Sequence, residues 1–369
     1  MVRVWDVPTR VFHWALALAF AGEWFTRDAP QLQLHEFLGY GIGALVVFRL
    51  AWGVWGTRWA RFASFPLSPG AAWRYVRALL RGRAGHHVGH NPAGSIAIYA
   101  LLLLAALQVV TGLVALGAEQ RLGPLAGLPS LAAGSLAHGA HRVLAWSMLG
   151  VVCIHIAGVL VGSLLERENL VGSMLTGCKH APVEASVAAR RGVGVALIVL
   201  LGLSAAGWFG LRAGDARAQR ASAALALPRD ARWQAECSGC HLAFHPSLLP
   251  ARSWRRLFAG QHEHFGEDLD LAPATRQALE AYAQGNAADR FASPVAWSIA
   301  HSVAPASAPE RITETPYWRE RHERVDRDAF KRSHASDCGA CHRDAESGAF
   351  SALAIRVADA KPVTAAHRP

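Results

Sequence analysis

Residues 137–165 read AHGAHRVLAWSMLGVVCIHIAGVLVGSLL. This stretch carries a single formal charge, Arg142, and is longer than the ~20 apolar residues that cross the hydrocarbon of a bilayer. Three histidines stand in it, His138 at its edge and His141 and His155 inside; His138, like His180, is a span-end alternative to the inner two. At 100° per residue their 14-residue spacing falls about 40° short of four full turns, so both rings leave one helix face, ~21 Å apart along the axis. An ionisable ring in hydrocarbon is costly, and two on one face mark a functional seam.

Four further apolar runs extend the pattern. Val11–Thr26 contains Glu23, and His35–Gly56 is interrupted by Arg49. Gly94–Gly117 (24 residues) and Gly192–Leu211 (20 residues) carry no charge. The whole chain of 369 residues is 52% hydrophobic and only 17% charged, against roughly a quarter charged in soluble domains. That composition excludes a disordered chain, a collagen and an ordinary charged-surface enzyme. The charge also divides near residue 211, with 16 basic and 8 acidic groups before it and 21 and 19 after it. The reading is a membrane domain followed by a soluble one.

The loops set the orientation. Residues 58–90, residues 166–191 and the N-terminus hold 12 basic groups, whereas the other two loops hold Arg27 and Arg121 alone. The basic segments are therefore expected in the cytoplasm, and five spans place everything after Leu211 in the periplasm, outside a bacterial inner (plasma) membrane. The net charge of +10 reads as topology and anionic lipid, with no nucleic acid as partner. The first run has no A-x-A-like site after it and is expected to be retained. His86, His87 and His90 in the basic loop read as solvated or lipid-facing. Cys153 reads as a packed thiol and Cys178 as a loop thiol.

Depth pairs the membrane histidines. His35 begins the second run on the outer side, level with His141, and His13 begins the first on the inner side, level with His155. Two His–His pairs at two depths are what two stacked b-type haems need in an all-α transmembrane bundle, each iron taking one imidazole from each of two facing helices. The expected architecture is four haem-binding helices plus a fifth span, then a small, mostly helical domain.

That domain carries Cys237-Ser238-Gly239-Cys240-His241 and Cys338-Gly339-Ala340-Cys341-His342. C-x-x-C-H attaches c-type haem: two thiols add to the vinyl groups and the adjacent histidine binds the iron. A four-cysteine zinc site is the rival, but both copies keep the trailing histidine. The three methionines are Met1, Met148 and Met174, so His/Met ligation has no donor in this domain. The sixth-ligand candidates are His245, His262, His264, His301, His322, His334 and His367.

Two resemblances sharpen this. Val4-Trp5-Asp6-Val7-Pro8-Thr9-Arg10-Val11-Phe12-His13-Trp14, Leu34-His35-Glu36-Phe37-Leu38-Gly39-Tyr40, Gly89-His90-Asn91-Pro92 and Glu166-Arg167-Glu168-Asn169-Leu170-Val171 resemble the bacterial cytochrome b561 family, including hydrogenase b subunits. That resemblance implies two b haems held by His13, His35, His141 and His155. Arg142 stands where the family often has an acid. Leu248–Trp254, His264-Phe265-Gly266-Glu267 and Arg311–Trp318 resemble the dihaem cytochrome c family, which implies two bis-His c haems with His264 and His322 as distal ligands and His334 as the rival to His322.

The implied domains are 1–180 (b561-like), 181–235 (fifth span and linker), 236–350 (dihaem c) and 351–369 (flexible tail). The implied function is electron transfer through two b and two c haems, between the quinone pool or a membrane donor and a periplasmic electron-transfer or haem protein. The alternatives are an adaptor subunit of a larger dehydrogenase and a quinol or superoxide oxidoreductase.

Overall fold

The computed structural model describes residues 1–27, 31–83, 85, 87–180, 194, 202, 214–323, 325 and 337–356. The expected fifth span, His86, His334 and His367 lie outside the described residues. The chain is mostly helical and forms two compact units, residues 1–114 with 136–213 and residues 115–135 with 214–369.

The first unit is built on α1 (Val7–Thr26), α2 (Leu32–Trp55), α3 (Pro69–Leu80), α4 (Pro92–Glu119), α5 (Leu131–Leu165) and α6 (Leu170–Thr176). Helices α2, α4 and α5 are long and apolar enough to cross a membrane. Helix α1 carries Arg10, His13 and Glu23 and packs along α2. It begins four residues before the apolar run, because Asp6 Oδ1 accepts from the Thr9 amide at 2.8 Å and Pro8 sits in the first turn, where its missing N–H costs nothing. Asp6 Oδ2 also accepts from Trp52 Nε1 at 3.0 Å and from the Thr57 hydroxyl, which locks the start of α1 to the end of α2.

Leu16, Ala19 and Phe20 of α1 meet Ile42, Val46, Ala105 and Met148 in the bundle interior. Gly22 permits that approach, since a Cβ there would stand 2.8 Å from Leu38 Cδ1. Helix α3 buries Ala72, Tyr75 and Leu79, and its Tyr75 hydroxyl donates to Glu166 Oε1 and accepts from Asn91 Nδ2 at 3.0 Å. A two-residue strand β1 (Val2–Arg3) pairs antiparallel with β2 (Cys178–Lys179), tying the ends of the unit together. Cys153 is exposed on α5 rather than packed, and Cys178 lies in β2 rather than in a loop.

The second unit contains α7 (Gly214–Leu225), α8 (Ala231–Cys237), α9 (Ala251–Ala259), α10 (Pro273–Gly285), α11 (Pro294–Ser302) and α12 (Pro316–His322). One core gathers Trp233, Leu249, Trp254, Phe258, Leu279 and Ala283, and a second gathers Leu248, Ala296, Ile299 and Val303. Packing reaches beyond residues 236–350 at both ends. Leu225 and Leu227 are buried, and the Leu227 amide donates to Ser347 O at 2.9 Å, so the end of the expected linker is structural. Residues 351–356, expected in a flexible tail, are held in place: Leu353 and Ala354 are buried, and the Ser351 amide donates to Asp344 Oδ2 at 2.9 Å. Residues 115–135 belong here too. Gln120 Oε1 accepts from Ser351 Oγ at 2.9 Å and from the Ala352 amide at 3.2 Å, and Arg121 Nη1 donates to Ala224 O at 3.3 Å.

Candidate haem sites

Helix α5 presents His141 and His155 to partner histidines. The His13 and His155 ring centres are 6.4 Å apart, and those of His35 and His141 are 6.1 Å apart. A metal held in line between two imidazoles needs ~2.0 Å to each nitrogen plus ~1.1 Å from nitrogen to ring centre, or ~6.2 Å in all. Both pairs fit a haem iron. A hydrogen bond at Nδ1 fixes a ring's orientation and leaves Nε2 for a metal. His141 Nδ1 lies 3.1 Å from both Gln108 O and Thr111 Oγ1. His35 Nδ1 lies against Glu23 Oε2. His13 Nδ1 is buried without a hydrogen-bond partner, and Trp14 stands edge-on to its ring at 5.1 Å.

Arg49, in sequence merely an interruption of an apolar run, is 3% exposed. Its guanidinium lies 4.8 Å from the Phe62 ring centre, and its Nη1 has no hydrogen-bond partner. His90 is not solvated as its basic loop suggested. Its ring sits 4.6 Å from both Trp5 and Phe65, and burial, reinforced by the charges of Arg49 and Lys179, pushes its pKa down to about 3. Asn91-Pro92 was the local signal, since Asn91 Oδ1 accepts from the Gly94 amide at 2.7 Å and so holds His90 at the foot of α4.

In the second unit, α8 ends on the first cysteine of the first C-x-x-C-H. Asp230 caps it, accepting from the Trp233 amide at 2.9 Å, and Trp233 anchors it edge-on against Trp254 at 5.3 Å. The His241 and His264 rings stand 6.3 Å apart. His264 rides on a tight turn: its amide donates to Glu267 O at 2.8 Å, with Phe265 at φ 56° and Gly266 at φ 102°. The Arg311 guanidinium covers Phe265 at 4.0 Å.

The second C-x-x-C-H forms a 3-10 turn, Cys338–Ala340, in which the His342 amide donates to Cys338 O at 2.8 Å. His342 faces His322 at 6.1 Å. His322 ends α12, which is capped by the fully buried Thr315. Its Nδ1 bonds Trp318 O at 2.8 Å and its ring stacks on Trp318 at 4.3 Å. Burial lowers the pKa of His264, His322 and His342, which keeps these rings in the neutral form a metal takes. Burial also pushes the Cys237 and Cys338 thiols up to about 11. None of Cys237, Cys240, Cys338 and Cys341 is in a disulfide.

The other candidate histidines have different neighbours. His245 Nδ1 accepts from the Ser247 amide at 3.1 Å, His262 pairs with Asp268 at 2.9 Å, and His301 stacks on Trp297 at 4.0 Å. Among the described residues, no three His, Cys, Asp or Glu side chains converge as a metal cage. The recurring unit is instead two imidazoles at one spacing. This is the donor set of a membrane electron-transfer haem protein carrying b-type and c-type haem.

Known proteins agree. Residues 4–177 match the prokaryotic cytochrome b561 family and residues 233–350 match the dihaem cytochrome c family. A probable Ni/Fe-hydrogenase B-type cytochrome subunit of Cupriavidus necator is 24% identical over 47% of this chain and 85% of its own length. Its counterpart from Rhodobacter capsulatus is 26% identical over 48% and 80%. Among solved structures, the diheme cytochrome c from Rhodobacter sphaeroides is 37% identical, covering 34% of this chain and 99% of its own, with a TM-score of 0.31.

Proposed function

We propose that this protein relays electrons through two b haems and two c haems between the quinone pool, or another membrane donor, and a periplasmic acceptor. The observation that carries this reading is the set of four histidine pairs with one common ring separation, 6.1 to 6.4 Å. His13 with His155 and His35 with His141 would hold the b haems. His241 with His264 and His322 with His342 would hold the c haems, fixed covalently through Cys237, Cys240, Cys338 and Cys341. The haem supplies a one-electron couple when bound. The protein supplies distance, insulation and potential. Two imidazoles per iron leave no open coordination position, which favours relay over oxygen chemistry. The loop charges favour a cytoplasmic N-terminus, a bacterial inner membrane and a periplasmic c domain.

A pyridine haemochrome assay with haem staining on a denaturing gel tests this. The expected content is two non-covalent b and two covalent c haems per chain. His141→Ala removes one b haem and spares the other three, whereas loss of both b haems or of neither refutes the pairing.

The hydrogenase-subunit relatives favour a second reading, in which the chain is the electron adaptor of a larger dehydrogenase. A partner subunit that co-purifies stoichiometrically with the solubilised protein would establish it. A quinol oxidoreductase acting alone requires instead that purified quinol reduce the haems at a rate competent for turnover.

A further inference from the structure

The proposed b-haem ligands differ in what holds their second nitrogen. His141 leans on the neutral Gln108 carbonyl and Thr111 hydroxyl, and His13 Nδ1 has no hydrogen-bond partner. His35 lies against a carboxylate, Glu23, whose side chain is 13% exposed. Glu23 comes from α1 and His35 from the first turn of α2, so the contact crosses between helices and fixes the ring from outside its own backbone. Gly39 keeps the space open, since a Cβ there would stand 3.3 Å from Glu23 Oε1. Glu23 is ten residues from His13 on the same helix, a rise of ~15 Å, so it acts on one pair and not on the other.

A carboxylate against Nδ1–H draws the proton toward itself and makes the ring a stronger donor at Nε2. The oxidised iron carries one more positive charge than the reduced iron, so it gains more both from that donation and from the nearby negative charge. Axial-ligand basicity and outer hydrogen bonding are among the main protein levers on haem potential. We propose that Glu23 is a positioning residue that orients His35 and holds the haem between His35 and His141 at a lower reduction potential than the haem between His13 and His155. The proposal rests on the haem reading above, and it gives the two b haems an energetic order that the ligand set alone does not. At equilibrium a single electron shared by the pair resides on the His13–His155 haem.

The test is a redox titration of the full-length detergent-solubilised protein, followed at the b-haem α band, for the wild type, Glu23→Gln and Glu23→Asp. In the wild type two b transitions are expected. Glu23→Gln shifts the lower one upward by at least tenfold in its reduction equilibrium, ~59 mV for one electron. It also moves the low-spin electron paramagnetic resonance signal of that haem, and leaves the other b haem and both c haems in place. Glu23→Asp restores part of the shift. Retention of four haems with both b potentials unchanged, or an equal shift in both, overturns the proposal. If Glu23→Gln loses a b haem, Glu23→Asp decides: an upward shift of the lower transition supports the proposal and no shift overturns it. A wild type holding fewer than two b haems overturns the haem reading itself, before any variant is compared.

Discussion

Gly266→Ala isolates the effect of one backbone torsion on one c haem. Gly266 has φ 102°, and a Cβ built there meets nothing within 4 Å. The substitution therefore adds no clash, and its whole cost is conformational, about 1–2 kcal/mol for an L side chain on the left-handed side of φ space. The preceding Phe265 already sits at φ 56°, so the turn has little freedom to absorb the change. It must open between His264 and Glu267, the two residues whose backbones pair at 2.8 and 3.2 Å. His264 would then leave its place 6.3 Å from His241 for a fraction of the time. A cost of about 1–2 kcal/mol is a 5–30-fold change in the ratio of closed to open turn. The readout is carbon monoxide binding to the fully reduced protein, which requires a vacated sixth position. A rise of that size in the c-haem fraction that binds is expected, with both c haems still covalently attached. Gly239→Ala, also in open space but without positive φ, serves as the control and should be silent. Equal carbon monoxide binding in Gly266→Ala and wild type would refute the role given to this turn and to His264.

Two further outcomes follow from the second unit. Thr315→Ala removes the cap of α12, in which Thr315 Oγ1 accepts from the Trp318 amide at 3.3 Å and donates to Ile312 O at 2.7 Å. It should cost about 1–2 kcal/mol and show as a lower thermal midpoint with a high-spin component confined to one c haem. Acid should also weaken this unit through His245, whose pKa burial lowers from 6.5 to about 4. A histidine with a depressed folded pKa takes up its proton more readily when unfolded, so stability is intact above about pH 6.5 and falls between there and about pH 4. Discounted for partial exposure, the loss is about 1–2 kcal/mol. His245→Gln should flatten the acid limb of the unfolding midpoint between pH 6.5 and 4.5, and an unchanged limb would sink the assignment.

Helical periodicity made His141 and His155 readable as one face, and span order supplied their partners by depth. The proposed c-haem anchors announced themselves through a motif whose chemistry fixes its spacing. The proposed distal ligands, His264 and His322, needed resemblance, because a distal ligand is chosen by tertiary approach and leaves no local spacing. The rest was hidden for the same reason. Glu23 and Arg49 look in sequence like blemishes in apolar runs, and only packing shows that one touches a histidine and the other lies buried over a phenylalanine ring. His90 sits in an arginine-rich loop whose average polarity said solvent, while Trp5 and Phe65 come from elsewhere to enclose it. Helix α1 begins four residues before its apolar run, because hydropathy does not register an Asp cap followed by proline. Residues 351–356 read as a tail because their partners, Asp344 and Gln120, belong to other segments.

The bond between Ser351 and Gln120 spans 231 positions. A closure of that length is entropically expensive and slow relative to local contacts. Synthesis delivers Gln120 well before Ser351, so the turn that bonds them has to wait for the 231 positions that separate them. A protein cut after residue 213, or one begun at residue 214, would therefore be missing a wall and not merely a neighbour. Two families meet in this gene product, but the seam between them does not coincide with any single peptide bond.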